Sequence, residues 1–274
     1  MLTRKIPSSG IELPIVGCGT WRGFDVGAGE AERAKLREVL RLLFEAGGSV
    51  IDSSPMYGAA EGVVGDLLSS MQAQDKAFVA TKVWTHGRAA GIEQMQRSLQ
   101  RLGRERLELM QVHNLVDWRT HLATLRAWQA EGRITHLGIT HYTAGAHAEL
   151  EAVMRAERLD FVQLNYSLDD RAAEDRLLPL AAERGIAVLV NRPLGGGGLL
   201  QALRGRPLPG WARDIDCESW AQVLLKFVLG HPAVSCAIPG TGRPEHMADN
   251  LRAGQGALPD AALRARMVVD WQGR

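Results

Sequence analysis

The chain has 274 residues, of which 46% are hydrophobic, and this suffices for one large domain of the size usual for α/β barrels. The formal charge of +1, from 32 basic and 31 acidic residues, gives no electrostatic reason to expect binding to nucleic acid or to an anionic membrane. The three scattered cysteines suggest neither a disulfide framework nor a zinc site, so we expect a reduced, cytoplasmic protein without a metal.

The predicted elements begin with a small hairpin over residues 4–14, turning at Ser9-Gly10, that could close one end of a barrel. A strand followed by a helix then occurs eight times. The predicted strands are residues 15–21, 50–52, 77–82, 107–112, 134–139, 161–165, 186–190 and 235–238. The helices after them are residues 32–46, 61–71, 92–102, 120–130, 146–156, 177–184, 220–229 and 244–251, and a last helix follows Pro259.

This alternation predicts the fold class. Short apolar strands that alternate with helices are typical of a parallel sheet covered on both faces. Eight such units predict a (β/α)8 TIM barrel with an N-terminal hairpin and a C-terminal helix, formed by residues 1–274 as a single domain. The alternative, an open doubly wound sheet, requires Gly-x-Gly-x-x-Gly after the first strand, and residues 17–23 have the wrong spacing.

Four residues with acid–base chemistry lie at or just after successive predicted strands. Asp52 ends the second strand, Lys82 the third, and His113 directly follows the fourth, while Tyr57 lies in the loop after Asp52. Catalytic residues of α/β barrels lie at the carboxyl ends of strands, so we expect these four to meet in one site.

Together these four residues have the chemistry for moving a proton at a carbonyl group. A free phenol has a pKa of about 10, and a neighbouring ammonium favours its ionised form. A carboxylate paired with Lys82 would keep that lysine charged, and His113 could donate a hydrogen bond to a carbonyl oxygen. Tyr57 would then protonate this oxygen while a cofactor delivers a hydride. Each residue alone has an ordinary structural interpretation, such as a helix cap for Asp52, but their occurrence together favours catalysis.

The loop at residues 240–245 is rich in glycine and enters a helix whose first residue is Pro244. Free backbone N–H groups at such a helix start favour an anion, and Arg243 adds a positive charge. Phosphate sites in barrels often lie after strands seven and eight, where this loop falls. An ordinary capped surface helix is the alternative.

Seven motifs between about residue 4 and about residue 252 share one family's pattern. They are residues 17–21, 52–61, 81–84, 111–114, 138–140, 162–167 and 238–250. On these motifs the chain resembles the aldo-keto reductases. The resemblance implies that Tyr57 is the general acid/base, that Lys82 and Asp52 tune it, and that His113 orients the carbonyl. It also implies reduction of aldehydes or ketones to alcohols, or the reverse, with NADP(H) as the main cofactor and NAD(H) as the second choice.

The resemblance further implies an extended cofactor site. The nicotinamide carboxamide would contact Thr140, His141 and Gln163. The pyrophosphate would contact Arg192, Pro193, Leu194 and Gly195. The adenosine 2′-phosphate would be held by Thr241 and Arg243, and the adenine by Asp249 and Asn250. The remaining residues assigned to the cofactor are Gly19, Thr20, Asp52, Asn191, Pro239, Gly240 and Gly242.

Three positions depart from the commoner family pattern. His141 replaces a usual asparagine, Asn191 a tyrosine that often stacks on the nicotinamide, and His246 an arginine that often joins the adenosine phosphate. The last change leaves Arg243 as the main cation for that phosphate, because histidine lacks the permanent charge and planar fork of arginine.

The substrate pocket is expected to be lined by Trp21, Trp84 and Asn114. The short loops before strand seven suggest an open pocket for small aldehydes or sugars, and we expect a monomer. Two other functions stay open at this point: a barrel that binds a nicotinamide cofactor without catalysis, and a barrel hydrolase or isomerase that uses Asp52 and His113.

Overall fold

An antiparallel hairpin opens the chain, and the computed structural model describes residues 1–273. The hairpin pairs β1 (Thr3–Lys5) with β2 (Glu12–Pro14), and the turn contains Gly10 at φ +73°. The side chains of Ile6 and Leu13 are buried. They pack in one cluster with residues from the beginnings of several sheet strands, among them Val50, Phe78, Leu109, Phe161 and Ala187. The predicted hairpin is therefore confirmed, and it covers the amino-terminal end of the sheet.

A parallel sheet of eight strands lies at the centre of the molecule. Its strands are β3 (Cys18–Gly19), β4 (Val50–Asp52), β5 (Phe78–Val83), β6 (Leu107–His113), β7 (Ile134–Thr140), β8 (Phe161–Asn165), β9 (Ala187–Asn191) and β10 (Cys236–Ala237). They are neighbours in chain order from β3 to β10. Parallel bridges from Val16 to Ala237 and from Gly19 to Gly240 join the two outer strands. The sheet thus curls until its edges meet.

Helices cover the outside of the curled sheet. They are α1 (Glu30–Glu45), α2 (Ala60–Ser70), α3 (Arg88–Leu102), α4 (Trp118–Ala130), α5 (His147–Ala156), α6 (Leu177–Arg184), α7 (Gly198–Ala202), α8 (Trp220–Leu229), α9 (Pro244–Arg252) and α10 (Ala261–Gln272). The α1 helix shows why the periodicity predicted them, because Leu36, Val39, Leu40 and Leu43 recur on one face and are buried. The predicted α/β class and the C-terminal helix are confirmed.

Several boundaries differ from the predicted ones. The outer strands β3 and β10 are two residues long, because their remaining contacts are isolated bridges around Gly17 and Pro239. The connection from β9 to α8 was predicted as a loop, but it contains α7 and a 3-10 helix, Gly210–Ile215.

The expectation of a single domain over residues 1–274 stays a prediction, and its last residue lies outside the described residues. Among residues 1–273, no helix combines the length and the apolar character that crossing a membrane requires.

Candidate active site

A buried ion pair lies at the carboxyl ends of β4 and β5. Lys82 is 0% exposed and Asp52 is 2% exposed. The Lys82 Nζ atom lies 2.9 Å from each carboxylate oxygen of Asp52, and it also donates to the Ser53 carbonyl at 2.7 Å. Burial is the largest single effect and favours the neutral form of Lys82, but the charge of Asp52, the contribution of Tyr57 and the hydrogen bonds to these residues together outweigh it and hold the lysine pKa above its ordinary value. Lys82 is therefore an ammonium.

The Tyr57 ring faces this pair from the loop between β4 and α2. The Lys82 Nζ atom lies 5.2 Å from the ring centroid, and the rings of Tyr57 and His113 meet edge to face at 6.0 Å. The next residue, Gly58, has φ +60° and lies against the Asp25 carboxylate. The Asp25 Oδ1 atom accepts a hydrogen bond of 2.9 Å from the Ala59 N–H group. The structure thus brings together the four residues that the sequence singled out.

The pKa of Tyr57 differs from the expectation that Lys82 lowers it overall. Burial raises the pKa of the phenol, and this effect is larger than the lowering by the Lys82 ammonium. The Asp52 carboxylate adds to the rise. The predicted direction of the Lys82 effect is confirmed, but desolvation of the ring is the larger effect and reverses the net shift. In this state Tyr57 is a neutral phenol that holds its proton.

His113 is a neutral imidazole. Burial, followed by the charge of Lys82 and the neighbouring His141, lowers the pKa of His113 to about 2. The His113 Nδ1 atom lies 3.1 Å from the Ser54 hydroxyl oxygen, which also accepts a bond from the Met56 N–H group. A Ser54 hydroxyl that donates its proton to Nδ1 places the ring proton of His113 on Nε2. In this tautomer Nε2 is a hydrogen-bond donor.

Two buried glutamines extend the polar cluster across the sheet. Gln163 of β8 donates to the Asp52 carboxylate at 3.3 Å, and Gln111 of β6 donates to the Gln163 side chain at 3.0 Å. Sequence reasoning assigned roles to Asp52 and Gln163 but not to Gln111, Ser53 or Ser54. A sequence signal for them exists, because each is polar and either adjacent to a residue of the cluster or on its strand. The structure shows that all three are buried.

The residues expected near the nicotinamide lie at the carboxyl ends of β7, β8 and β9. Thr140 is buried at the end of β7, and His141 follows it. The Asn191 amide donates to the His141 carbonyl at 3.3 Å, while its Oδ1 atom is buried without a hydrogen-bond partner among residues 1–273. An unsatisfied buried acceptor is costly, so this atom is suited to receive a donor from a bound molecule.

The loop after β3 and the loop after β10 approach each other closely at two glycines, Gly23 and Gly242. A Cβ atom on Gly23 would lie 2.8 Å from the Gly242 nitrogen, and one on Gly242 would lie 2.8 Å from the Gly23 oxygen. Only glycine permits this approach. The Thr20 hydroxyl donates to the Asp52 carbonyl at 3.0 Å, so Thr20 supports the strand end that carries the ion pair.

Several polar side chains of the predicted phosphate loop and the helix after it form hydrogen bonds or ion pairs with neighbouring residues of the protein. Arg243 is exposed and pairs with Glu245 at 2.5 Å, and the Thr241 hydroxyl accepts from the Arg243 N–H group at 3.1 Å. Asp249, which was assigned to the adenine, accepts from the Ser219 hydroxyl at 2.8 Å and the Gln222 amide at 2.6 Å. Asp249 therefore also ties α9 to the start of α8.

The backbone after β9 is held in an unusual conformation. Arg192 has φ +52°, and the three glycines Gly195, Gly196 and Gly197 also have positive φ. Pro193 and Leu194 lie between them, the former buried and the latter half-buried. The N–H group of Gly195 donates to the Arg192 carbonyl at 3.0 Å and so closes the turn.

The expected substrate residues lie around the same end of the sheet. Trp21 is 54% exposed and Trp84 is 42% exposed, which is unusual for tryptophan and suits the rim of an open pocket. Asn114 follows His113 at φ +52°, and its Oδ1 atom is buried without a partner within the described chain. Trp211, in contrast, is buried and donates to Asp270 of α10.

Across residues 1–273, no group of three or more His, Cys, Asp or Glu side chains is arranged to hold a metal ion. All three cysteines have free, buried thiols. The polar centre at the carboxyl ends of the strands is therefore built from an ammonium, a carboxylate, a phenol, an imidazole and amides.

Comparisons with known proteins identify relatives of this chain. The sequence model of the aldo/keto reductase family matches residues 15–265. The chain is 30% identical to methylglyoxal reductase YeaE of Escherichia coli, over 96% of this chain and 93% of that one. It is 26% identical to an NADH-specific methylglyoxal reductase of the same organism, over 94% and 95% of the two chains. An aldo/keto reductase from Klebsiella pneumoniae, solved in complex with NADP and acetate, superposes with a TM-score of 0.80 at 26% identity and covers 94% of this chain and 91% of its own. The chain belongs to the aldo-keto reductase family.

Proposed function

We propose that this protein reduces small aldehydes or ketones to alcohols with NADPH or NADH, and catalyses the reverse oxidation. One observation carries the proposal: a buried Lys82–Asp52 ion pair faces the ring of Tyr57, with the ring of His113 on its edge. A protein that only binds a nicotinamide cofactor has no need of such a proton donor. A hydrolase or isomerase would not need the family's cofactor residues.

The four residues act on the carbonyl oxygen of the substrate. His113 donates a hydrogen bond to this oxygen from Nε2, and it does so as a neutral group because its pKa is lowered to about 2. Tyr57 transfers its proton to the same oxygen as negative charge develops there. Lys82 stabilises the phenolate that remains, and Asp52 holds the lysine in position.

The chain fits a nicotinamide cofactor by the chemistry of its donors and acceptors. A bound NADPH or NADH supplies the hydride. We propose that Gln163, Asn191 and Thr140 hold the carboxamide, because they bring amide and hydroxyl groups together at adjacent strand ends and Asn191 Oδ1 lacks a partner among residues 1–273. Arg243 and Thr241 are proposed to bind the 2′-phosphate of NADPH, which we propose as the preferred cofactor.

The proposed substrate is a small 2-oxoaldehyde such as methylglyoxal. Two relatives that align over more than nine-tenths of this chain are methylglyoxal reductases. The exposed rings of Trp21 and Trp84 leave the pocket open, which suits a small and reactive carbonyl compound. We further propose that the curled sheet is a closed (β/α)8 barrel and that the protein works in a reduced compartment, since its cysteines are free and buried.

Cofactor consumption coupled to product identification tests the proposed function. The purified protein would be mixed with NADPH or NADH and with methylglyoxal, a hydroxyaldehyde or a simple ketone in parallel. We expect consumption of NADPH with methylglyoxal and an equal amount of alcohol product. If neither cofactor is consumed with any carbonyl compound, the proposed function is wrong.

A further inference from the structure

A basic cavity of about 550 Å³ lies between the β9–α8 connection and the start of α9. Three basic side chains line it: Arg204, Arg243 and His246. Trp220 and Gln201 contribute an aromatic ring and an amide. None of the described lining residues is acidic. The cavity therefore suits a phosphate-bearing ligand with a flat ring, and Arg204 lies outside every motif from which the cofactor site was predicted.

The three basic residues are not equivalent. The charge of Arg243 is partly neutralised by Glu245, because the two side chains form an ion pair at 2.5 Å. His246 carries no permanent charge. Arg204 follows the buried Leu203 at the end of α7, and its exposed guanidinium has no hydrogen-bond or ion-pair partner within residues 1–273. Arg204 is thus a permanent cation at this cavity that no neighbouring carboxylate neutralises.

We propose that Arg204 is a specificity-determining residue that binds the 2′-phosphate of NADP(H) together with Arg243. The inference rests on the proposed function, since it concerns the cofactor of that same site. A guanidinium presents two parallel N–H groups to phosphate oxygens, and the two guanidinium groups that line this cavity match the charge of a phosphate dianion. Arg204 thereby supplies the second arginine that His246 does not.

Binding of adenosine fragments to the cofactor-free protein tests Arg204 without any turnover. Adenosine 2′,5′-bisphosphate carries the 2′-phosphate, and adenosine 5′-monophosphate lacks it. Both would be titrated calorimetrically into the wild type and into Arg204→Gln. We expect the dissociation constant of the bisphosphate to rise about tenfold in the variant, as for the loss of one charge-assisted hydrogen bond. That of the monophosphate should change less than about twofold.

Two further variants make the test specific. Arg206→Gln removes an equal charge two residues away, from a side chain that does not line the cavity, and should bind both fragments like the wild type. Arg204→Lys keeps the charge without the planar fork and should regain part of the lost affinity. Thermal melting of every variant confirms that an exposed substitution leaves the fold intact.

The outcomes separate this inference from the proposed function. Equal weakening of both fragments in Arg204→Gln, or unchanged binding of the bisphosphate, would overturn the role of Arg204 while a reductase that consumes NADPH stands. An effect of Arg206→Gln as large as that of Arg204→Gln would also overturn it, because the charge would then act at long range. A wild type that binds neither NADPH nor NADH would overturn the proposed function and this inference together.

Discussion

Lys82 and Asp52 depend on each other for their charges. Removing two ions from water costs several kcal/mol each, and this cost is offset here by direct hydrogen bonds of 2.9 Å and by the Ser53 carbonyl. Two apolar side chains of the same size would be buried without this cost of desolvation. The ion pair is therefore better explained by the chemistry of Tyr57 than by the stability of the sheet.

Lys82→Met is expected to lower the free energy of unfolding by about 3–5 kcal/mol, because it leaves the Asp52 carboxylate buried without its partner. The double variant Asp52→Asn with Lys82→Met should recover much of this stability, since no lone buried charge remains, and yet have little activity. Urea unfolding measured together with turnover checks both. A Lys82→Met protein that unfolds at the wild-type urea concentration would contradict this view of the pair.

The lowered pKa of His113 makes the free energy of unfolding depend on pH. Its pKa is lowered to about 2 in the folded protein, against about 6.5 in an unfolded chain. Below pH 6.5 the unfolded chain therefore takes up a proton that the folded protein does not, and the free energy of unfolding falls. Between pH 7 and pH 5 this residue alone should account for a loss of about 2 kcal/mol.

The variant His113→Gln removes this linkage. We expect its free energy of unfolding to fall about 2 kcal/mol less than that of the wild type between pH 7 and pH 5. The substitution of the exposed His86 by Gln is the matched control for the change of residue type. Equal pH dependence in the wild type and His113→Gln would mean that His113 takes up a proton in the folded protein.

The meeting of Asp52, Tyr57, Lys82 and His113 was predictable from sequence, but their electrostatics were not. Asp, Lys and His at successive strand ends identified the site because the ends of parallel strands meet. The depth of burial that raises the pKa of Tyr57 depends on packing by distant segments, which periodicity does not reveal. For the same reason Ser54 and Gln111 were missed as partners, although both are neighbours of predicted residues.

The loop from β4 to α2 is the element that positions Tyr57. It is only a few residues long, and it is fastened to the loop after β3 by the Asp25 carboxylate. Gly58 lies so close to Asp25 that an added Cβ atom would be 2.2 Å from Oδ1. The position of the phenol is therefore set by a contact between two loops and not by the strand alone.

Gly58→Ala should lower kcat at least tenfold, because the new methyl group must push Asp25 away and move the adjacent Tyr57. It should also cost about 1 kcal/mol of stability from the positive φ. Gly10→Ala shares the positive φ but has open space around its Cβ position, so it should lose a similar amount of stability and keep full activity. Turnover and urea unfolding of both variants provide the comparison. Normal kcat in Gly58→Ala would mean that the contact with Asp25 does not position the phenol.

Predictability also varied among the elements. The strand Val50–Asp52 and the helices Leu177–Arg184 and Trp220–Leu229 have the predicted bounds, because their apolar residues are dense and their ends carry glycine, serine or polar residues. The helix Gly198–Ala202 was missed, since a run of glycines before a five-residue helix resembles a flexible loop. Its conformation depends on positive φ at three glycines and on contacts that follow from folding.

Across the whole molecule, the two ends of the sheet differ in polarity. The hairpin residues Ile6 and Leu13 cover the amino-terminal end with apolar packing, while the carboxyl-terminal end carries the polar cluster. The order of strands in the sheet followed from the repeated strand–helix units, because each parallel crossover places the next strand beside the last. Contacts between the outer strands could not be derived in this way, since they depend on glycines that meet only after the sheet curls.

We propose that Tyr57 is the proton donor in carbonyl reduction. The most direct measurement compares methylglyoxal reduction and NADPH binding in the wild type, Tyr57→Phe and Tyr142→Phe. Tyr142 is exposed, so it is a matched control that should behave like the wild type. We predict that Tyr57→Phe loses a factor of about 10²–10⁴ in turnover and binds NADPH within about twofold of the wild type. Wild-type turnover in Tyr57→Phe would exclude Tyr57 as the proton donor.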